Sequence, residues 1–75
     1  MSRTRQLRIN DILNHLDEIK GFSGKAVNLV FRDDRVITGI LNTVTTELVI
    51  LTNMRNKVMS FSTRDVAELY FDRLE

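Results

Sequence analysis

Ala26-Val27-Asn28-Leu29-Val30-Phe31, then Arg32-Asp33-Asp34-Arg35, then Val36-Ile37-Thr38-Gly39-Ile40-Leu41-Asn42-Thr43-Val44: this stretch decides the fold. Two apolar, β-branched runs flank a short charged turn, and Gly39 sits in the middle of the second run. A glycine weakens a β-branched strand unless it serves a bend, a bulge or a close backbone approach. In so short a chain, a sharply bent strand lets one sheet curl into a small barrel. Asp33 and Asp34 suit the turn, because aspartate tolerates turn geometry and hydrogen-bonds its own backbone.

Working outward, the first run is predicted as a strand over about Lys25–Phe31. Val27, Leu29 and Phe31 fall on one face; Ala26, Asn28 and Val30 fall on the other. The second strand covers about Arg35–Val44, and Thr45-Thr46-Glu47 interrupt the apolar pattern as a polar loop. Leu48-Val49-Ile50-Leu51 is apolar on both faces and reads as a central or doubly covered strand. Asn53-Met54-Arg55-Asn56 is a hairpin loop, Lys57–Phe61 a fourth strand and Ser62-Thr63-Arg64-Asp65 a tight turn. The fifth strand, Val66 to about Phe71, is again apolar on both sides. Left as an exposed edge, such a strand invites aggregation, so pairing with another subunit is expected there.

On the N-terminal side, Ile9, Ile12, Leu13, Leu16 and Ile19 recur at helical spacing and predict a helix over about residues 10–20. Asn10 is a candidate cap with Asp11 in the first turn, a start near Thr4 being the alternative; Gly21 suits a left-handed stop. Residues 1–5 read as a disordered basic arm. Gly21-Phe22-Ser23-Gly24-Lys25 is a linker and not a phosphate loop. Two residues rather than four separate its glycines, alanine follows the lysine, and a strand comes next.

One helix followed by five short strands and tight turns makes a single domain of mostly β class, a strongly bent antiparallel small barrel. With 75 residues its core is marginal. There is no cysteine and one histidine, which leaves oligomerisation rather than disulfides or zinc to supply further burial. No metal or other cofactor is expected. His15 lies off the apolar stripe, and no nucleophile–base pair emerges from the spacing, so an enzyme is not expected. No segment approaches a membrane span of roughly 20 apolar residues, and a cytoplasmic protein is the expectation.

Net charge is +1, with eleven Lys and Arg against ten Asp and Glu. Arg3, Arg5 and Arg8 have no acidic neighbour in the first eight residues; without them the body holds eight cations against ten carboxylates. A basic arm on a near-neutral body suits phosphate contact, although a solvated tail has the same composition.

The turn Asp33-Asp34, then Gly39, then Leu41 two residues on, then Leu48 and Ile50, resembles the first motif of the Sm and Sm-like proteins, the family that includes the bacterial Hfq branch. By architecture the similarity extends over roughly residues 10–71, as an SH3-like barrel. Two features depart from the family. Thr45 and Val49 occupy the slots where it commonly carries an aspartate and a base-contacting asparagine. The turn Ser62-Thr63-Arg64-Asp65 matches the arginine of its second motif only loosely and lacks the glycine.

The resemblance implies a closed homo-oligomeric ring of about five to seven subunits, in which the Lys57–Phe61 strand of one copy pairs with the Val66–Phe71 strand of the next. It implies binding of single-stranded RNA, or single-stranded DNA, at loops facing the pore, with a role in RNA processing or regulation. Thr45 and Thr46 are the candidates for hydrogen bonding, Arg64 for phosphate or stacking, and Arg3 and Arg5 for arm contacts. Val58, Val66, Leu69 and Tyr70 are the candidates for the subunit interface. The alternative is an adaptor ring that binds a protein partner and no nucleic acid, since fold does not fix function.

Overall fold

The computed structural model describes the backbone of residues 4–74 and the side chains of residues 7–71. The fold is mostly β, with six strands: β1 (Thr4–Asn10), β2 (Ala26–Phe31), β3 (Val36–Val44), β4 (Leu48–Thr52), β5 (Val58–Ser62) and β6 (Val66–Leu74). They form one antiparallel sheet in the order β1-β6-β2-β3-β4-β5. The sheet is not closed by hydrogen bonds, and β1 and β5 are its edges.

The central stretch folds as its pattern dictates. Val27, Leu29 and Phe31 are buried on the inner face of β2, and the β2–β3 turn places Asp34 at φ 68. Phe31 N–H donates to the Arg35 carbonyl at 2.8 Å, and Asp34 N–H to the Phe31 carbonyl at 3.0 Å. Gly39 serves close approach: a Cβ there would meet the Thr52 carbonyl oxygen at 2.9 Å and the Leu51 Cβ at 3.3 Å. Just beyond it the β3–β4 register slips between Leu41 and Thr43, and the β2–β6 register slips between Val30 and Phe31. Such irregularities bend strands and increase their twist. They curl the sheet over its own core until Phe61 of β5 faces Phe31 of β2, with ring centroids 5.0 Å apart.

Three expectations about the N-terminal third are corrected. The disordered arm over residues 1–5 is not what the backbone shows from Thr4 onward, because Thr4 and Arg5 open β1; residues 1–3 lie outside the described residues. β1 pairs with β6 in an unbroken register from Thr4↔Leu74 to Asn10↔Glu68. The reason is packing: Ile9, 5% exposed, enters the core, and Leu7 packs against it.

The single helix over 10–20 is instead a 3₁₀ turn, η1 (Ile12–Asn14), and a short helix, α1 (Leu16–Lys20). His15 separates them at φ −129, ψ 24. Ile12 and Ile19 of the predicted stripe are buried, whereas Leu13 turns outward. Gly21 remains right-handed at φ −63, and the left-handed glycine is Gly24 at φ 87, whose N–H donates to the Leu41 carbonyl at 2.8 Å.

Most consequential is β6. It lies between β1 and β2 and is not an edge, so its apolarity on both faces does not require a second subunit. Val66 and Leu69 are core residues of the single chain.

Candidate nucleic-acid interface

One end of the curled sheet gathers three segments around a second 3₁₀ turn, η2 (Thr63–Asp65). Thr63 anchors it. The residue is 2% exposed, its N–H donates to the Glu47 carbonyl at 2.9 Å, and its hydroxyl donates to the Thr45 carbonyl at 2.9 Å. These two bonds fix η2 to the β3–β4 loop. On the other side Arg32 N–H donates to the Asp65 carbonyl at 3.0 Å, and Arg32 Nε to the Arg64 carbonyl at 2.6 Å. The β2–β3 turn is thereby fixed to the same point.

The result places Thr46, Ser62 and Arg64 around one shallow hollow of about 710 Å³, with Leu13 and Glu47 on its rim. Arg32 and Arg64 flank a smaller recess of about 320 Å³ against η1. Both arginines are exposed, and neither forms an ion pair among the described residues. Arg35 differs: its Nε lies 2.8 Å from Asp33 Oδ2, and its guanidinium sits 5.2 Å from the Phe31 ring. The backbone N–H of Arg35 donates to Asp33 and, with the guanidinium charge, holds that carboxyl below the usual carboxylate range despite its exposure.

The structure therefore brings together Thr46 and Arg64 of the expected site and gives Thr45 another task. The Thr45 hydroxyl accepts from the N–H groups of Glu47 at 3.2 Å and Leu48 at 3.0 Å, closing the loop on itself. Arg3 lies outside the described residues. Arg5 sits on β1 opposite Arg73, five residues and about 17 Å along the strand from the end that approaches η2.

Val66 and Leu69 are buried in the chain's own core, and Tyr70 is half-buried with the Arg8 guanidinium 4.5 Å above its ring. Val58, 67% exposed on edge strand β5, is the one interface candidate that lies open.

Two contributors escaped the sequence reading. Arg32 looked like an ordinary turn residue, and only the fold puts it against Arg64. Thr63 looked like a polar turn residue, although a threonine between a serine and a charged pair can enter the interior when a neighbouring loop offers carbonyls. Beside this rim, a cleft of about 480 Å³ lies between the β2–β3 turn and β5, with Phe61, Ser60 and Ser62 on one wall and Arg32 and Arg35 on the other.

Carboxylates interleave with the cations: Asp33, Asp34, Glu47 and Asp65 are all exposed at this end. The rim can offer two guanidinium groups, hydroxyls and a half-buried phenyl ring, in a field that is close to neutral overall. No protein-family model matches the chain, and no curated protein or solved structure matches it.

Proposed function

We propose that the chain is a single-stranded nucleic-acid-binding module of Sm-like type, acting as a homo-oligomeric ring with RNA as its preferred ligand. The observation that carries the reading is the contact of Arg32 with the Arg64 carbonyl, which holds two exposed guanidinium groups, without an ion pair among the described residues, at one end of the sheet: Arg64 beside Thr46 and Ser62, and Arg32 beside Arg64 and Ser62. Arginine forks suit phosphate oxygens, and hydroxyls suit base edges and ribose. The turn at Asp33-Asp34, the close approach at Gly39 and the apolar positions Leu41, Leu48 and Ile50 support an Sm-like barrel in the span β2–β6. The same reading places the protein in the cytoplasm.

Because two cations at the rim stand without an ion pair among the described residues, binding is expected to be weak and mildly salt-dependent. Each phosphate neutralised on a single strand contributes about −0.7 to the slope of log affinity against log salt, so two give about −1.4. Fluorescence anisotropy with a labelled oligouridine at several salt concentrations measures this. Replacing Arg32 and Arg64 together with alanine is expected to abolish the slope and weaken binding at least tenfold, the order expected for two charge-assisted contacts. Unchanged binding by the double variant contradicts the proposed site.

A second reading, an adaptor ring for a protein partner, is favoured by the exposed apolar groups Leu13, Val36, Leu48, Met54 and Val58. Purified protein then carries no nucleic acid, and its 260/280 absorbance ratio stays at the value for protein alone.

A further inference from the structure

We propose that copies of the chain join edge to edge, with β5 of one copy pairing antiparallel with β1 of the next. The inference rests on the assembly proposed above and gives it a junction other than the expected one, since β6 is already paired on both sides.

The chemistry of β5 comes first. Asn53 N–H donates to the Lys57 carbonyl at 2.8 Å, and Thr63 N–H donates to the Glu47 carbonyl at 2.9 Å. These bonds bracket the strand, and the antiparallel alternation between them turns the N–H and C=O of Met59 and Phe61 toward β4. The same groups of Val58, Ser60 and Ser62 then face away from the sheet, presenting three donors and three acceptors. Edges are commonly blunted by proline, by lysine or by a bulge. None occurs within Val58–Ser62, and its register with β4 is unbroken. The strand is a ready template for another strand.

β1 is the complementary half. It pairs over seven residues with β6 alone, so its other side is the second free edge of the sheet. Charge selects both the partner and the direction. Arg55 and Lys57 precede β5, and its far end approaches Asp65 and Glu47. β1 carries Arg5 near its start and runs into Asp11, while Arg8 in its middle is already paired with Glu68 at 2.9 Å. An antiparallel junction sets the arginine-bearing start of β1 against Glu47 and Asp65, and Asp11 against Arg55 and Lys57. A parallel junction opposes like charges at both ends. Each copy offers one edge of each kind, so the contact is head-to-tail and closes into a ring when its rotation divides a full turn.

The chain has no cysteine, which makes cross-linking a clean test. Two single-cysteine variants, Ser60→Cys on β5 and Gln6→Cys on β1, are mixed and oxidised; Thr38→Cys on β3 replaces Gln6→Cys as the control. The expected result is a covalent dimer from the first mixture and its loss in the control. In parallel, Ser60→Pro removes an outward N–H without touching the bonds to β4. It is expected to convert the wild-type oligomer to the 8.7 kDa monomer, with unchanged circular dichroism.

An oligomer whose mass survives Ser60→Pro, or that cross-links Ser60→Cys only to itself, overturns the β5–β1 junction while assembly through another surface stands. A wild-type protein that is monomeric at every concentration overturns the junction and the assembly together.

Discussion

Gly39 shows how one residue sets how closely β3 and β4 approach. Its role is contact, not conformational freedom: the Thr52 carbonyl occupies the space where a Cβ would lie. Gly39→Ala therefore has to push β3 and β4 apart in the buried half of the sheet. Overpacking of this kind costs about 1–3 kcal/mol, and urea denaturation is expected to show it.

Thr63 acts at the same scale by another means. It is the one buried polar residue among those described, and both of its polar groups are satisfied by the β3–β4 loop. Thr63→Val keeps the shape and leaves the Thr45 carbonyl without that donor, an expected loss of about 1–3 kcal/mol. If η2 positions Arg64 as described, the variant also weakens oligouridine binding while retaining its fold.

Asp33 adds a pH dependence of predictable sign. Its carboxyl ionises at lower pH in the folded chain than in the unfolded one, chiefly through the Arg35 N–H. The turn's contribution is present above the ordinary aspartate value and disappears as pH falls through the folded one. Asp33→Asn is expected to lower the melting temperature slightly at pH 7 and to converge on the wild type in acid.

At the scale of elements, β1 is where sequence and structure part most clearly. The stretch Thr4–Asn10 carries three polar residues and two arginines before Asp11, with alternation visible only at Leu7 and Ile9. Two apolar positions do not distinguish a strand from the start of a helix, and Ile9 fits the helical stripe through Ile12 and Ile19 equally well. The decision belongs to β6, a strand rich in apolar residues that needs a hydrogen-bonded neighbour along each edge. Leu69 and Phe71 on one face are buried while Glu68 and Tyr70 on the other are half-buried, and the sequence could not say whether the second neighbour comes from the same chain or another copy. The structure supplies it from the same chain. If β1 belongs to the folded body, Ile9→Ala costs about 2–5 kcal/mol. If residues 1–10 were a solvated arm, the substitution would leave the urea midpoint where it is.

The central strands were legible because their turns carry strong local signals. Asp33-Asp34 and Asn53–Asn56 fold as hairpin loops, with Asn53 Oδ1 accepting from the N–H groups of Arg55 at 2.9 Å and Lys57 at 3.0 Å. The helix was less legible. His15 breaks it without a glycine or proline to mark the place, and its Nδ1 lies 2.9 Å from the Asp11 carbonyl. Of the candidate site, Thr46 and Arg64 could be named because both lie in polar loops. Their neighbour Arg32 could not, since it is distant in sequence and is joined to them only by the fold.

For the whole molecule, a sheet of six strands with two uncovered edges raises the question of what those edges meet. Among the described residues, no helix is long and apolar enough to cross a membrane. The curled sheet, the guanidinium pair at its rim and the complementary edges are the grounds for the proposed account: an assembly of copies that presents repeated rims to a flexible, phosphate-bearing strand. Under the proposed function repetition matters, because a single rim with two cations would bind weakly, whereas several rims on one strand would raise the effective concentration of each next contact.

Native mass spectrometry of the purified protein, with and without a short oligouridine, tests that account most directly. It predicts a closed species of several copies, about five to seven, that gains the mass of the oligonucleotide. A species of 8.7 kDa that ignores the oligonucleotide contradicts it.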